Sequence, residues 1–167
     1  RFQKETQENG CIVSYIHGGG RIGVLVKAET AVVNDAVKEA LTNVAMQVAA
    51  LAPKYVSSED VSEEYKEHEK AILLAQAKNE NPDKPENIIE KMIIGRLNKE
   101  LKEVCLMEQA YVKAEDGKQT VAKYLQQVSK EVGADIKITG FVRFETGEGL
   151  EKKNEDFAAE VAAQMGN

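Results

Sequence analysis

The sequence predicts an α+β fold: a small antiparallel sheet packed by helices, with a protruding antiparallel helical hairpin. Three observations predict it. Two runs of alternating, β-branched-rich residues flank Gly18, Gly19 and Gly20, the pattern of a β-hairpin with one buried face. Later segments carry apolar residues at steps of three and four, which draws a single stripe along a helix. Two of those segments, joined across Pro82 and Pro85, are charged on their remaining faces, as expected of a helical pair that projects from the body.

Composition bounds what such a fold can do. With 167 residues, 43% of them hydrophobic, the chain can bury one core, or a core plus an appendage. A net charge of −6 argues against holding nucleic acid through the protein's own field, because phosphate binding calls for a basic surface. Cys11 and Cys105 are too few for a disulfide framework and are not spaced as metal ligands, so both are expected as reduced thiols in a cytoplasmic protein. No apolar run reaches the ~18 residues of a membrane span. No signal peptide is expected at the start, and the chain opens at Arg1 rather than Met, so either something has been removed or the sequence is a piece of a longer protein.

Taken in order, Arg1–Asn9 reads as a polar lead-in or a short edge element. Cys11, Val13, Tyr15 and His17 share one face of the first strand, and Ile12, Ser14 and Ile16 the other. In the second strand Ile22, Val24, Val26 and Ala28 alternate with Arg21, Gly23, Leu25 and Lys27, and the pair is expected at the centre of the sheet. Asn34 is a good N-cap for a helix whose stripe is Val37, Leu41, Val44, Val48 and Leu51, stopped by Pro53.

Tyr55–Asp60 reads as a linker. Beyond it Val61, Tyr65, His68, Ile72 and Ala75 form the stripe of the first hairpin helix. The second carries Ile89, Ile93, Leu97, Leu101 and Val104, with Asp83 as a cap and Pro85 in the first turn. Gly95 in that helix suggests a close approach by its partner, since it costs about 1 kcal/mol against alanine. Gln109–Lys113 reads as extended. Val121, Leu125, Val128 and Val132 mark a further helix, ended by Gly133. Ile136, Ile138, Val142 and Phe144 alternate as one face of a third strand, and a last helix begins near Asn154. The organisation is therefore a first part of a core subdomain at 1–57, a helical hairpin at 58–107, the second part of the core at 108–150, and a C-terminal helix module at 151–167.

The motifs that suggest chemistry fail on context. Gly18-Gly19-Gly20-Arg21-Ile22-Gly23 matches a dinucleotide fingerprint in letters, yet a strand follows where a helix N-terminus must hold the pyrophosphate. His17-Gly18-Gly19-Gly20 is similar to an oxyanion-hole stretch, but no G-x-S-x-G elbow accompanies it. Around Gly117-Lys118 a phosphate loop would need glycine at Val112 and Ser or Thr at Gln119. His68 has no second histidine at helical spacing, so it reads as a half-buried residue of the helical seam. His17, at a strand end beside three glycines, has no nucleophile or orienting carboxylate in view, and an interface role suits it better. No catalytic residue, metal site or cofactor is expected.

Several colinear blocks resemble bacterial elongation factor Ts: HGGGRIGVLVKAE at 17–29, NVAMQVAALAPKYV at 43–56, SSEDVSEE at 57–64, NPDKPENIIEKMIIGRLNKELKEVCLMEQAYVK at 81–113, and GFVRFETGEGLEKKNEDFAAEVAAQ at 140–164. The resemblance implies a guanine-nucleotide exchange factor that binds elongation factor Tu, acting by protein–protein contact with no bond-making machinery. It implies that this chain corresponds to the second of two similar core subdomains, the one that lies against the third domain of the GTPase. The 58–107 hairpin would be the family's coiled-coil or dimerisation module, with a homodimer possible through it. His17, Gly18, Gly19, Gly20 and Arg21 would touch the partner, as would Asp156 and Phe157 in the C-terminal module. The family's N-terminal helical domain and first core subdomain, whose Asp and Phe intrude near the magnesium, have no counterpart here. No direct contact with nucleic acid or membrane is implied. The rival expectation is a purely structural assembly module without exchange activity.

Overall fold

A computed structural model of the chain describes residues 2–150. Strands β1 (Gly10–His17), β2 (Ile22–Glu29) and β3 (Lys137–Glu145) form one antiparallel sheet in the order β1-β2-β3. The central strand is thus β2 alone, with β1 at one edge and β3 at the other. Helix α1 (Asp35–Leu51) packs on one face of the sheet beside α4 (Val121–Val132). Between them in sequence, α2 (Glu63–Glu80) and α3 (Glu86–Val104) form the helical hairpin.

The core lies between the sheet and α1. Val24, Val26 and Ala28 meet Val37, Leu41, Val44 and Val48, and Leu106, Leu125 and Ile138 close it. Cross-strand partners share a face of a sheet, so the inward face of β1 is Cys11, Val13 and Tyr15, opposite Ala28, Val26 and Val24. Local chemistry starts and stops the helices, at Asn34 and Gly133 as expected and at Thr120 in addition. Asn34 Oδ1 accepts from the Val37 amide at 2.9 Å, Thr120 Oγ1 from Lys123, and Gly133 ends α4 with a left-handed φ of 70°.

Four expectations change. In β3 the pairing skips one residue: Ala28 faces Ile138, but Lys27 faces Gly140. This bulge inverts the alternation beyond it, since one inserted residue flips every later side chain. Phe141 therefore faces inward with Ile138, while Val142 and Phe144 move to the outer face beside Leu25 and Gly23. In α1, Leu51 is 48% exposed, and the fully buried place one turn earlier goes to Gln47. In α2, His68, Ile72 and Ala75 face solvent; Leu73, Leu74 and Ala77 meet Ile89 and Ile93 in a small core of the hairpin's own. Gly95 is exposed with no atom within 4 Å of a Cβ built on it, so the partner helix is not its reason. Smaller differences are that Asp83 caps nothing, Pro85 itself being the N-cap of α3, and that only Ala110 of the 109–113 segment pairs, in a bridge to Thr120.

The 55–60 segment is a fastening rather than a linker. The Lys54 and Tyr55 amides donate to Val104 O, Leu106 donates to Tyr55 O and Met107 to Val56 O, which makes a short parallel clasp at the hairpin's base. Ser58 adds its amide and hydroxyl to Glu108 Oε1 at 3.0 and 2.9 Å. Tyr65 Oη donates to Glu100 Oε1 across the hairpin, and burial followed by that carboxylate raises its phenol to about 12. The lead-in is also fixed: Glu5 pairs with Lys27 at 2.6 Å and Gln7 Oε1 accepts from Thr139, so the chain crosses the outer face of the sheet before entering β1.

Cys105 lies in the clasp with no exposed surface, and burial followed by the Glu108 charge raises its thiol to about 11. A thiol held that high is protonated at neutral pH and unreactive. Maleimide labelling of the native chain is expected to modify half-buried Cys11 first and to reach Cys105 only when urea opens the clasp. Equal labelling of both in buffer would contradict the clasp.

Candidate partner-binding surface

The tip of the β1–β2 hairpin concentrates the expected contact residues. His17 ends β1, Gly18–Gly20 make a tight turn closed by the Arg21 amide donating to Gly18 O at 3.4 Å, and Arg21 leads into β2. Gly18, Gly19 and Gly20 hold φ of 60°, 66° and 96°, a succession that side-chain-bearing residues adopt only at a cost. Nothing lies within 4 Å of a Cβ at Gly19 or Gly20, so these two are glycine for backbone shape rather than for internal space.

The tip is braced from both flanks. Tyr15 and His17, two apart on one strand face, share a hydrogen bond of 2.9 Å between Oη and Nδ1. That leaves the far edge of an exposed imidazole presented outward. On the other side Arg21 O accepts from the Thr146 amide at 2.8 Å and from its hydroxyl, tying the tip to the end of β3. An open cleft of about 600 Å³ follows, between Gly20, Arg21 and Gly23 on one side and Phe144, Thr146 and Leu150 on the other. Leu150, 75% exposed, lines this cleft with Arg21, and Ile16, 66% exposed, lies across from Gly23. Exposed apolar groups rimmed by polar ones are the make-up of a protein-contacting patch.

Continuous with that patch is the outer face of the sheet, where Ile12, Ile16, Leu25, Val142 and Phe144 lie together. The bulge in β3 is what brings the last two there. Among the described residues no helix packs on this face.

The structure places the consecutive residues His17, Gly18, Gly19, Gly20 and Arg21 at the exposed hairpin tip, while Asp156 and Phe157 lie outside the described residues. His68 stands apart on the solvent face of α2. Among the described residues no group of three His, Cys, Asp or Glu side chains could hold a metal, and no helix is long and apolar enough to cross a membrane. Sequence reasoning missed two features. Thr146 braces the tip, with no local pattern to announce it. Gln47 and Gln109 hold the core to the hairpin's base; the signal available was a lone amide inside the otherwise apolar middle of α1.

A family model described as Elongation factor TS matches residues 1–148. Among curated relatives, elongation factor Ts of Clostridioides difficile (strain 630) is 55% identical over 165 residues, 99% of this chain and 53% of the relative. Elongation factor Ts of Clostridium botulinum (strain Eklund 17B / Type B) is 51% identical over 166 residues, 99% of this chain and 54% of the relative. That of Clostridium perfringens (strain 13 / Type A) is likewise 51% identical, with the same coverage. The chain spans about half the length of the curated relatives it matches.

Proposed function

The chain belongs to the elongation factor Ts family, and from that premise we propose that it binds elongation factor Tu and promotes the exchange of GDP for GTP. Binding runs through the His17–Arg21 tip and the apolar sheet face next to it. The observation that carries this reading is the exposed, backbone-shaped tip standing within a matched span of 148 residues.

Exchange of this kind requires no acid, base or nucleophile. A factor that binds the nucleotide-free GTPase more tightly than the GDP-bound form lowers the affinity for GDP by the same factor, because coupling between two ligands is reciprocal. A protein shaped only to grip is sufficient for that. In this division of labour the chain supplies docking surface, and the part of the family that it does not span supplies the group that intrudes near the magnesium.

The test is a pull-down of nucleotide-free elongation factor Tu by the tagged chain, with GDP release followed in parallel by a fluorescent nucleotide. Retention with only weak acceleration of release is expected, and His17→Ala with Arg21→Ala should lower retention. Release as fast as that produced by a full-length relative would overturn the division of labour; absence of retention would overturn the function.

A second reading, homodimerisation through the 58–107 hairpin, is favoured by Ile72, Ile88 and Ile94, which are 39%, 40% and 55% exposed on its surface. Light scattering of the chain against Ile72→Glu, Ile94→Glu decides it: a dimer that the pair of substitutions dissolves supports the reading, and a monomer throughout ends it.

A further inference from the structure

From the side of the molecule where α1 meets α4 we infer a second interaction surface, a lysine-rimmed cleft that receives a short acidic segment of a protein partner. The cleft has a volume of about 890 Å³ and is lined by Lys113, Lys118 and Lys123, by the carboxylates Glu115 and Asp116, and by the rings of Tyr111 and Tyr124. Its three ammonium groups come from three different places: the 112–114 turn, the loop before α4, and the first turn of α4 itself.

Among the described residues none of these lysines is in an ion pair. Lys113 Nζ donates to a neutral oxygen, Asn43 Oδ1, at 2.7 Å, which fixes the ammonium without neutralising it. Asn43 Nδ2 in turn donates to Tyr124 Oη at 2.9 Å. Tyr124 stacks on Tyr111 with ring centroids 4.2 Å apart, so a rigid aromatic wall backs the site. Of the two lining carboxylates, Asp116 is held by its own loop. Asp116 Oδ1 accepts from the Lys118 and Gln119 amides, each at 2.9 Å, and those bonds hold its carboxyl below the usual range. Lys123 lies in the field of Asp116 without pairing to it.

This combination selects a carboxylate-bearing protein segment over an extended polyanion. Glu115 stands on the loop, Glu39 lies near Tyr111 on α1, and Glu131 follows one turn beyond Gln127. One or two acidic side chains entering the cleft meet three cations against the two carboxylates of its lining, and a rigid wall, whereas a nucleic-acid backbone running out of it meets Glu39 and Glu131 as well, in a chain of net charge −6. A fixed, unpaired cation also costs less to engage than a free one, because its side chain is already ordered.

The test titrates the isotope-labelled chain with a short oligo-glutamate peptide and, separately, with a single-stranded oligonucleotide, reading amide shifts by NMR. The peptide should move resonances within 111–127, with an affinity that falls as salt rises. Lys118→Gln with Lys123→Gln should weaken it about tenfold, the sum expected of exposed charge pairs; Lys113 is left in place because it is tied to Asn43. Shifts spread evenly over the lysines of α2, α3 and β3, an affinity unchanged in the double variant, or tighter binding of the oligonucleotide at the cleft would each overturn the proposal. The probe is a peptide, so loss of GTPase binding and loss of this site are read separately.

Discussion

Gln47→Leu is expected to destabilise the chain by about 3 kcal/mol, lowering the melting temperature by about 6–12 °C. The side chain has no exposed surface, and three of its hydrogen bonds are internal. Its Nε2 donates to Gln109 Oε1 at 3.1 Å and to Ala110 O at 3.0 Å, and its Oε1 accepts from the Val112 amide at 2.8 Å. Gln109, itself 2% exposed, donates onward to Glu103 O at 2.7 Å, in the last turn of α3. Leucine fits the volume but leaves a backbone amide, a backbone carbonyl and an amide oxygen without their partner, and an orphaned buried polar group costs more than the bond contributed. The network joins the middle of α1 to the end of the helical hairpin, so its loss also loosens the hairpin's base. Urea melts of Gln47→Leu, Gln109→Leu and the double variant form a cycle that isolates the coupling. Additive effects, or a Gln47→Leu protein as stable as the parent, would show that the network is not a clamp.

The other large effect is expected at Gly10. A Cβ built there lies 2.0 Å from Ala28 O, and the residue holds a φ of +135°. Alanine cannot take both the backbone angle and the space, so β1 must withdraw from β2 where the chain enters the sheet. A loss of about 2–4 kcal/mol follows, combining a backbone state foreign to L-residues with a broken start of the ladder. Gly20→Ala is the control. Its φ is also positive, at 96°, but nothing lies within 4 Å, so only the conformational part remains, about 1–2 kcal/mol. Hydrogen exchange in Cys11–Val13 should quicken in Gly10→Ala and not in Gly20→Ala. Equal effects would mean that close packing against Ala28 is not what sets this position.

These two residues show how unevenly the fold can be read. The strand pair was plain because alternation over eight residues admits one period, and α4 was plain because its stripe and its closing Gly133 agree. The face of α2 was not. Its apolar residues are weakly segregated, so His68–Ile72–Ala75 and Leu73–Leu74–Ala77 are both possible seams, and only contact with Ile89 and Ile93 selects the second. The outer face of β3 was misread for a different reason. A bulge is a property of the pairing with β2, and the residues of β3 keep their alternation in sequence while losing it in space. At the tip, the cluster from His17 to Arg21 was legible because it is continuous in the chain. Its brace at Thr146 and the lysine-rimmed cleft were not, because their parts lie far apart in sequence.

Sequence alone determined which segments are strands and which are helices, where most helices start and stop, and that a triple-glycine tip would be exposed, because each depends on interactions between residues a few positions apart. The tertiary structure decided the rest: that Gln47 is interior while Leu51 is not, which seam closes the hairpin, and which side of the sheet carries Phe144. Those outcomes depend on which neighbour arrives to satisfy a hydrogen bond or cover an apolar face. Such a neighbour is chosen by packing across the whole molecule, over separations that no local periodicity records.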